Sequence, residues 1–361
     1  MMAITRYSSI LVTGGAGFIG TTLMPALLDL GDRVAVFDNL LEQVHGPDAK
    51  VPDHGPTYHF IRGDVRDQAA LAEAVAQTQP DLVLHLAAET GTGQSYDEVS
   101  RYTGVNVQGT AYLAEALRAL PKARRRVVLA SSRAVYGEGA YRDAGGHVVV
   151  PKPRDPADMT AGRFLPTGAD GAALEPIPTP EDAQPAPGSV YASTKLMQEY
   201  LLDQALTDSG IELAVLRFQN VYGAGQSLRN PYTGVLSIFG GMILRGQHLN
   251  IYEDGLITRD FVHVRDVAAA VIAASTADAV TSEPINIGSG EATTILDASR
   301  ALMRNLGHDE TALSITGDFR IGDIRHARAD ISRAADRLGW HPAISFEEGV
   351  AELAAWIKAT S

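Results

Sequence analysis

The stretch Ser9-Ile-Leu-Val-Thr-Gly-Gly-Ala-Gly-Phe-Ile-Gly20 decides the fold of this chain. Its apolar run ends at a glycine-rich turn, and apolar residues then recur at helical spacing from Phe18 to Leu30. The turn contains the pattern GxGxxG, in which glycines let the backbone approach a pyrophosphate at the positive N-terminus of a helix. The stretch therefore predicts a strand, a tight turn and a helix that bind a dinucleotide.

The segments that follow alternate between short buried strands and helices. Apolar runs predict strands at 34–37, 82–86 and 126–130, and a helix is predicted at 99–120, ending before Pro121. Strands that alternate with helices favour a parallel sheet covered on both faces. The sequence therefore predicts an α/β fold, a Rossmann-type doubly wound parallel sheet with a smaller C-terminal substrate-binding lobe.

The second half of the chain is interrupted by a proline-rich insert, residues 138–188. Residues 151–187 hold nine of the 18 prolines, which excludes a regular helix or a central strand there. A helix at 189–208 and a strand at 212–217 restore the regular pattern. We expect residues 1–219 to form the dinucleotide-binding domain, and 220–361 to form mainly the substrate-binding lobe, with some segments returning to the first domain.

Composition excludes several classes of protein. The 361 residues carry 30 Lys and Arg against 43 Asp and Glu, a net charge of −13, which argues against a nucleic-acid partner. The chain has no cysteine, so thiol chemistry and cysteine metal sites are excluded. No apolar run is long enough for a membrane span, and residues 1–6 show no signal sequence, so a cytoplasmic enzyme without a membrane partner is expected.

An acidic residue identifies the expected dinucleotide. Asp38 ends the second predicted strand, 18 positions after Gly20, where a carboxylate would accept a hydrogen bond from the ribose 2′-hydroxyl of the adenosine. The same carboxylate would repel a 2′-phosphate. The pattern therefore favours NAD over NADP.

Three side chains indicate proton transfer. Tyr191 and Lys195 are four positions apart, so on a helix the ammonium lies one turn from the phenol and favours its ionised form. A phenol with an ordinary pKa of about 10 thereby becomes a candidate general base. Ser132 follows another predicted strand at its carboxyl end, where open α/β sheets place their ligands.

Motifs in the same order along nearly the whole chain carry a family resemblance. The chain resembles the extended short-chain dehydrogenase/reductases that act on nucleotide sugars, and this implies bound NAD. The matching segments are Thr13-Gly-Gly-Ala-Gly-Phe-Ile-Gly20, Asp38-Asn-Leu40, Gly63-Asp-Val65, His85-Leu-Ala-Ala88, Asn106-Val-Gln-Gly-Thr110, Ser131-Ser-Arg-Ala-Val-Tyr-Gly137, Tyr191-xxx-Lys195, Leu216-Arg-Phe-Gln-Asn-Val-Tyr-Gly223, Arg259-Asp-Phe-Val-His-Val264 and Arg320-Ile-Gly-Asp323.

The resemblance implies a role for each matching residue. Tyr191 would be the base, Lys195 would tune it and hold the nicotinamide ribose, and Ser132 would orient the reacting oxygen of the sugar. The implied cofactor contacts are Gly14, Gly17, Phe18, Ile19, Gly20, Asp38, Asn39, Asp64, Val65, Leu86, Ala87, Ala88 and Asn106, together with Tyr191 and Lys195. The implied substrate contacts are Ser132, Arg133, Asn220, Arg259, Arg320 and Asp323, with Arg259 and Arg320 on the diphosphate.

The reaction that the resemblance implies starts with oxidation at sugar C4. Related dehydratases and decarboxylases carry a Glu at the position of Ala134, and without it the simplest outcome is 4-epimerisation with NAD regenerated. Within the family the chain resembles dTDP-L-rhamnose 4-epimerases through residues 131–141, the insert and residues 228–239. A UDP-hexose or UDP-uronate 4-epimerase, a nucleotide-sugar oxidoreductase or dehydratase and, more distantly, a non-catalytic NAD-binding protein remain open.

Partners and the insert complete the expectations. The family resemblance implies a homodimer through the helices at 99–120 and 189–208. The insert has two open interpretations: a lid or wall at the sugar, or a passive or oligomer-facing loop. His45, His54 and His59 lack metal-ligand spacing, and no metal site is predicted.

Overall fold

The computed structural model describes residues 6–228, 230, 232 and 234–360. Residues 1–5 and 361 lie outside them, as do Arg229, Pro231 and Thr233 of the segment 228–239. The first half alternates strands and helices as expected: β1 (Ile10–Thr13), α1 (Phe18–Leu30), β2 (Val34–Asp38), α2 (Glu42–His45), β3 (Tyr58–Arg62), α3 (Gln68–Thr78), β4 (Leu82–His85), α4 (Thr92–Asp97), α5 (Val99–Tyr102), α6 (Gly109–Ala119) and β5 (Arg125–Ser132).

The prediction of one regular helix at 99–120 is wrong in one respect. The run is not regular, because a π-helical segment, Thr103–Gln108, separates α5 from α6. A π segment adds a residue to the turn and rotates the side chains on either side of it. Apolar spacing alone does not reveal it, and it contains Asn106, one of the predicted site residues.

The insert contains short elements only, and a 3-10 turn, Arg133–Tyr136, precedes it. The elements within it are β6 (Tyr141–Arg142), β7 (Val148–Val149), α7 (Pro156–Thr160) and β8 (Glu175–Pro176). The strands β6, β7 and β8 form a small antiparallel sheet of their own. The helix α8 (Val190–Leu206) follows, with the Ser189 side chain accepting a hydrogen bond from the amide of Ala192 at its N-terminus.

The remaining elements are β9 (Ile211–Phe218), β10 (Asn220–Tyr222), α9 (Val235–Leu244), β11 (Leu249–Ile251), β12 (Thr258–Arg259), β13 (Phe261–His263), α10 (Val264–Thr276), β14 (Ile285–Ile287), β15 (Thr293–Thr294), α11 (Ile295–Leu306), β16 (Leu313–Ile315), α12 (Ser332–Leu338) and α13 (Phe346–Thr360). No described helix is both long and apolar enough to cross a membrane.

Within the described part of the chain, seven parallel strands form the main sheet in the order β14-β9-β5-β4-β1-β2-β3. All residues of β1, β2 and β4 are buried, as expected for strands covered on both faces. One apolar core packs beneath α1 and α10, and another beneath α3, α6 and α8. The α/β, Rossmann-type doubly wound fold is thus confirmed.

The C-terminal segment contributes to both parts of the molecule. Its strand β14 pairs with β9 in the main sheet, and α10 packs against the same core as α1. A third apolar core, formed largely by α9, α11 and α13, stabilises the smaller lobe. The chain runs outward from β1 to β3 and returns to β4, so the strand order reverses between β1 and β4. Open α/β sheets bind ligands at this switch point.

Candidate active site

A cavity of about 640 Å³ opens at the carboxyl ends of the strands and continues toward the C-terminal lobe. All predicted site residues but Asn106 line it. The lining residues among them are Gly14, Gly17, Phe18, Ile19, Gly20, Asp38, Asn39, Asp64, Val65, Leu86, Ala87, Ala88, Ser132, Arg133, Tyr191, Lys195, Asn220, Arg259, Arg320 and Asp323. The fold therefore brings residues from distant parts of the sequence to one surface.

The glycine turn has the geometry that a pyrophosphate requires. Gly14 has a φ of +71°, and a Cβ there would lie 2.6 Å from the amide nitrogen of Ala87. A Cβ at Gly20 would lie 2.4 Å from the carbonyl oxygen of Gly15. Position 20 must therefore be glycine for α1 to pack this closely against the turn. At Gly17 a Cβ would meet only the Gly14 carbonyl, at 3.3 Å, and would otherwise occupy the open space in front of α1. These positions fit a dinucleotide phosphate at the helix N-terminus.

Carboxylates shape the far end of the same cradle. Asp38 accepts hydrogen bonds from the amides of Ala16 and Leu40, at 3.0 and 2.8 Å, which ties the glycine turn to the end of β2. Asp64 accepts a hydrogen bond from the Asn39 side chain at 3.1 Å. The Arg66 guanidinium beside Asp64 lowers the pKa of that carboxyl to about 2. This end of the cavity is acidic and favours hydroxyl donors such as a ribose.

The candidate base and its hydroxyl partner come from different elements. Ser132 ends β5, and its side chain accepts a hydrogen bond from the amide of Ala134 at 3.1 Å. Tyr191 lies in the first turn of α8, with its ring packed edge-on to Tyr102. Burial raises the pKa of the Tyr191 phenol, and a hydrogen bond with Ser132 opposes that shift. The phenol therefore needs a cation to become a base near neutral pH.

Lys195, four positions after Tyr191 on α8, is the candidate for that cation. Its side chain is 3% exposed, and burial lowers its pKa to about 7. Its ammonium donates a hydrogen bond to Gln198 Oε1. Gln198 Nε2 donates in turn to Thr110 Oγ1 at 2.7 Å, which orients the amide so that its oxygen faces the lysine. The ammonium thus has a fixed acceptor on its own helix.

His85 extends this network to the glycine turn. Its Nε2 lies 2.9 Å from Thr110 Oγ1 and its Nδ1 lies 2.7 Å from Thr13 Oγ1. Burial lowers the pKa of His85 to about 3, so the ring is neutral, and because Thr110 donates to the Asn106 carbonyl, Nε2 carries the proton. A continuous buried chain of hydrogen bonds therefore joins the end of β1 to Lys195.

Asn106 is placed differently from the expectation of a direct cofactor contact. It is fully buried in the π-helical segment and does not line the cavity. Its amide accepts a hydrogen bond from the Glu89 amide at 2.8 Å and donates to the Glu89 carbonyl at 3.0 Å and to Thr194 at 2.9 Å. With these bonds Asn106 joins the loop after β4 to α8, and so positions residues that do line the cavity.

The predicted substrate residues form a cationic wall on the other side. Arg259 pairs with Asp323 at 2.7 Å, and the Arg320 guanidinium lies 5.0 Å from the centre of the Tyr252 ring. Arg133 donates to the Gly137 carbonyl at 2.6 Å, and burial and the neighbouring Arg259 lower its pKa to about 10. Arginine side chains in this arrangement are suited to an anionic ligand.

Comparisons with known proteins identify the family of this chain. The profile of the NAD dependent epimerase/dehydratase family matches residues 10–156 and 160–288. The chain belongs to this family. Its dependence on NAD agrees with the glycine turn and with Asp38.

Relatives within the family include epimerases of several nucleotide sugars. The chain is 41% identical to dTDP-L-rhamnose 4-epimerase of Burkholderia thailandensis, over 96% of this chain and 94% of the relative. It is 31% identical to UDP-glucose 4-epimerase of Mycolicibacterium smegmatis, over 95% and 96% of the two chains. UDP-N-acetylglucosamine 4-epimerase from Methanobrevibacter ruminantium has a similar structure, with a TM-score of 0.78 and 29% identity over 99% of this chain and 100% of that one.

A solved structure with bound ligands is similar as well. UDP-glucuronic acid 4-epimerase from Bacillus cereus, in complex with UDP-glucuronic acid and NAD, superposes with a TM-score of 0.78 at 26% identity, over 98% of this chain and 99% of that one. The family assignment and the fold made from the sequence are thus confirmed.

Sequence reasoning missed the residues that hold the site from behind. Gln198 was overlooked because an uncharged amide carries no chemical signal of its own, and Thr110 was quoted only as the end of a motif, without a role. The spacing of Gln198, three positions after Lys195 on one helix, is the signal that could have found it. The ion pair between Glu199 and Arg217, at 2.7 Å, was also missed, and it fixes the same helix to β9.

Proposed function

We propose that this protein is an NAD-dependent nucleotide-sugar 4-epimerase that works through a transient 4-keto sugar, on a dTDP-6-deoxyhexose such as dTDP-L-rhamnose. The observation that carries the reaction is the placement of Ser132, Tyr191 and Lys195 around the same cavity as the glycine turn. The 41% identity to a dTDP-L-rhamnose 4-epimerase supports the choice of substrate.

The three side chains divide the proton chemistry. Ser132 holds the reacting sugar oxygen and the phenol in one hydrogen-bonded arrangement. Tyr191 takes the proton of the C4 hydroxyl, because the ammonium of Lys195 one helical turn away stabilises the phenolate. The same phenol returns the proton when the keto group is reduced. No water or metal ion is needed to carry it.

Bound NAD supplies the acceptor, and then the donor, of the hydride at sugar C4. The glycine turn, Asp38 and Asp64 would hold its adenosine half, and Lys195 its nicotinamide ribose. Return of the hydride to the opposite face of the sugar would invert C4 and regenerate NAD. The cofactor is therefore expected to remain bound from one turnover to the next.

The residue at position 134 argues against elimination or decarboxylation. Ala134 lines the cavity two positions after Ser132, and its methyl group can neither donate nor accept a proton. A reaction at C5 or C6 would need an acid or base at this side of the sugar. Ala134 therefore favours return of the hydride to C4 over a second chemical step.

The cationic wall would hold the diphosphate of the substrate. Arg259 and Arg320 approach from the C-terminal lobe, and Asn220, whose side-chain NH₂ group would donate to a phosphate oxygen, lines the same cavity. Guanidinium groups bind phosphate oxygens through paired donors. In a protein with a net charge of −13, such a local group of cations is needed to bind an anionic sugar nucleotide.

A UDP-uronate is the second candidate substrate, and Arg133 favours it. This guanidinium lines the cavity beside Ser132 and forms no ion pair with any described residue. A sugar carboxylate would give Arg133 a direct ion pair, whereas a 6-deoxyhexose has no carboxylate to offer it.

We also propose a homodimer, as the family resemblance implies. Val99 on α5 and Met197 and Tyr200 on α8 are large apolar side chains with exposures of 46%, 45% and 52%. Exposed apolar groups on adjacent helices are typical of a protein interface. The expected subunit contact therefore uses these helices; the cytoplasmic location stays a prediction.

One experiment tests the reaction and the substrate together. The purified protein is analysed for bound NAD and then incubated with dTDP-, UDP- and GDP-sugars, and the products are identified by NMR. We expect inversion at C4 of dTDP-L-rhamnose without net formation of NADH. Turnover of UDP-glucuronate alone would favour the second candidate, and net oxidation or reduction would exclude an epimerase.

A further inference from the structure

The insert meets the C-terminal lobe through a group of charges, here called the insert–lobe cluster: the buried Glu138, Arg154, Glu253 and Arg325, and Asp254 at its exposed edge. Arg154 is the member from the middle of the insert, and its side chain is 4% exposed. Arg325 pairs with Glu253 and Asp254 at 2.7 Å. Removing one member of a buried ion pair is costly, because the partner then loses both its hydration and its counter-charge. The cluster therefore holds the insert and the lobe in a defined position relative to each other.

Arg154 makes contacts with three separate segments. Its Nη1 donates to Glu253 Oε1 at 2.7 Å and to the Phe164 carbonyl at 3.2 Å. Its Nη2 donates to the carbonyl of Asp323 at 2.7 Å, and its Nε lies 3.2 Å from Glu138 Oε1. A planar guanidinium can serve these directions at once, which a lysine ammonium at the same place cannot do.

The contact with Asp323 continues into the cavity. Asp323 closes a turn by donating its amide to the Arg320 carbonyl at 3.2 Å, and its carboxylate pairs with Arg259 at 2.7 Å. Arg320, Asp323 and Arg259 all line the cavity. None of the residues 138–187, all of which the structure describes, lines it. The insert is therefore linked to the cationic wall through Arg154 and a backbone carbonyl.

We propose that Arg154 is a positioning residue for the diphosphate-binding arginines, and that residues 138–187 of the insert, none of which lines the cavity, thereby set the affinity for the nucleoside diphosphate end of the substrate. This inference rests on the proposed function. In this proposal the insert is neither a lid or wall at the sugar nor a passive or oligomer-facing loop. The insert holds the turn that carries Arg320 and Asp323 at a fixed distance from the sheet.

The variants Arg154→Met and Arg154→Lys test the inference, with Arg163→Met as the matched control. Arg163 also lies in the insert, but its pair with Asp158 is exposed, at 67% and 47%. The probe is dTDP, titrated by calorimetry into protein whose NAD content and circular dichroism have been checked. KM and kcat for the best substrate of the wild-type protein are measured beside it.

We expect Arg154→Met to weaken dTDP binding and to raise KM by about tenfold, the effect of one lost charge-assisted hydrogen bond, with kcat within about twofold of wild type. The dTDP affinity of Arg154→Lys should lie between those of the wild type and Arg154→Met, since lysine keeps the positive charge but cannot form all the hydrogen bonds of the guanidinium. In an Arg259→Met background, Arg154→Met should add little, because the two residues act on one ligand group.

Equal dTDP affinity in Arg154→Met and Arg163→Met would overturn the inference, as would a loss confined to kcat or full additivity with Arg259→Met. If Arg154→Met does not fold, the same comparisons with Arg154→Lys decide. A wild-type protein that converts no nucleotide sugar would instead contradict the proposed function, and dTDP binding would still test the role of Arg154.

Discussion

The two regions beside the cavity, the strand ends of the sheet and the proline-rich insert, are held by different interactions. Around the reacting groups, the partners are uncharged: the Ala134 amide donates to Ser132, and Lys195 donates to Gln198, which donates in turn to Thr110. In the insert, Arg154 reaches partners 99 and 169 positions away, and they are a charged side chain and a backbone carbonyl.

The difference separates chemistry from ligand affinity. Hydrogen bonds between uncharged groups fix the reacting groups to rigid strands and helices, where small displacements are costly. Buried ion pairs join the insert to the C-terminal lobe, and they act on the arginines that would hold the ligand. Substitutions in the two regions should therefore change different measured quantities.

The largest effect is expected for Tyr191→Phe. Without the phenolic oxygen no group on α8 can take the C4 proton, and epimerisation should fall by about a thousandfold or more. Bound NAD should stay near the wild-type amount, because the glycine turn is unchanged. The assay is C4 inversion followed by NMR, with Tyr58→Phe in the apolar core as control. Wild-type turnover in Tyr191→Phe would refute the assignment of the base.

A large loss of stability is expected for Arg325→Met. The substitution removes a 1% exposed cation and leaves Glu253, also 1% exposed, with one partner fewer. Breaking a buried pair costs about 3–5 kcal/mol, which urea unfolding measures. The control is Arg265→Met, whose pair with Glu352 is exposed and should cost less than about 1 kcal/mol. Similar losses in both variants would show that the insert–lobe cluster adds no special stability.

A moderate effect that depends on pH is expected for Gln198→Leu. Burial already lowers the pKa of Lys195 to about 7, and Glu199 on the same helix raises it, while neutral His85 and Tyr191 complete its surroundings. Loss of the amide oxygen removes a partner of the charged form, so the pKa falls further. The ammonium then loses its charge at lower pH, and the alkaline limb of kcat/KM should move down by about one unit, with activity about tenfold lower at pH 8.

The matched variant Gln198→Glu sharpens that test. A carboxylate beside the ammonium favours its charged form, so the alkaline limb should move to higher pH than in the wild type. The measurement is kcat/KM against pH for all three proteins. Limbs that coincide would show that Gln198 does not act on Lys195.

The smallest effect is expected for Asp158→Asn at the surface of the insert. It breaks the exposed pair with Arg163, and exposed pairs contribute about 0–1 kcal/mol. Unfolding and epimerisation should both remain near wild type. A clear rise in KM would show that the whole insert, and not Arg154 within it, controls affinity.

The sequence was sufficient for the parts of the site that local pattern determines. The helix Phe18–Leu30 and the positions of Gly14 and Ser132 at strand ends were predictable, because strand–turn–helix patterns are local. The place of Arg259 at the same cavity was implied only by the family resemblance. The π-helical segment was not predicted, because apolar spacing does not record one extra residue in a turn. Asn106, which the resemblance placed at the cofactor, lies in that segment behind the cavity.

The role of the insert could not be predicted for a different reason. Prolines showed only that residues 151–187 would be irregular. Whether Arg154 is exposed or buried depends on Glu253 and Asp323, and the pairing of such distant charges is decided by how the lobes pack. No periodicity in the sequence records that contact.

The central claim is that the hydride removed from C4 returns to the same carbon on its other face. The most direct test incubates the protein with dTDP-L-rhamnose in D₂O without added NAD and follows every sugar proton by NMR. We predict inversion at C4 with its original hydrogen retained and no deuterium at any other carbon. Deuterium at C3 or C5, or inversion at a carbon other than C4, would contradict the account.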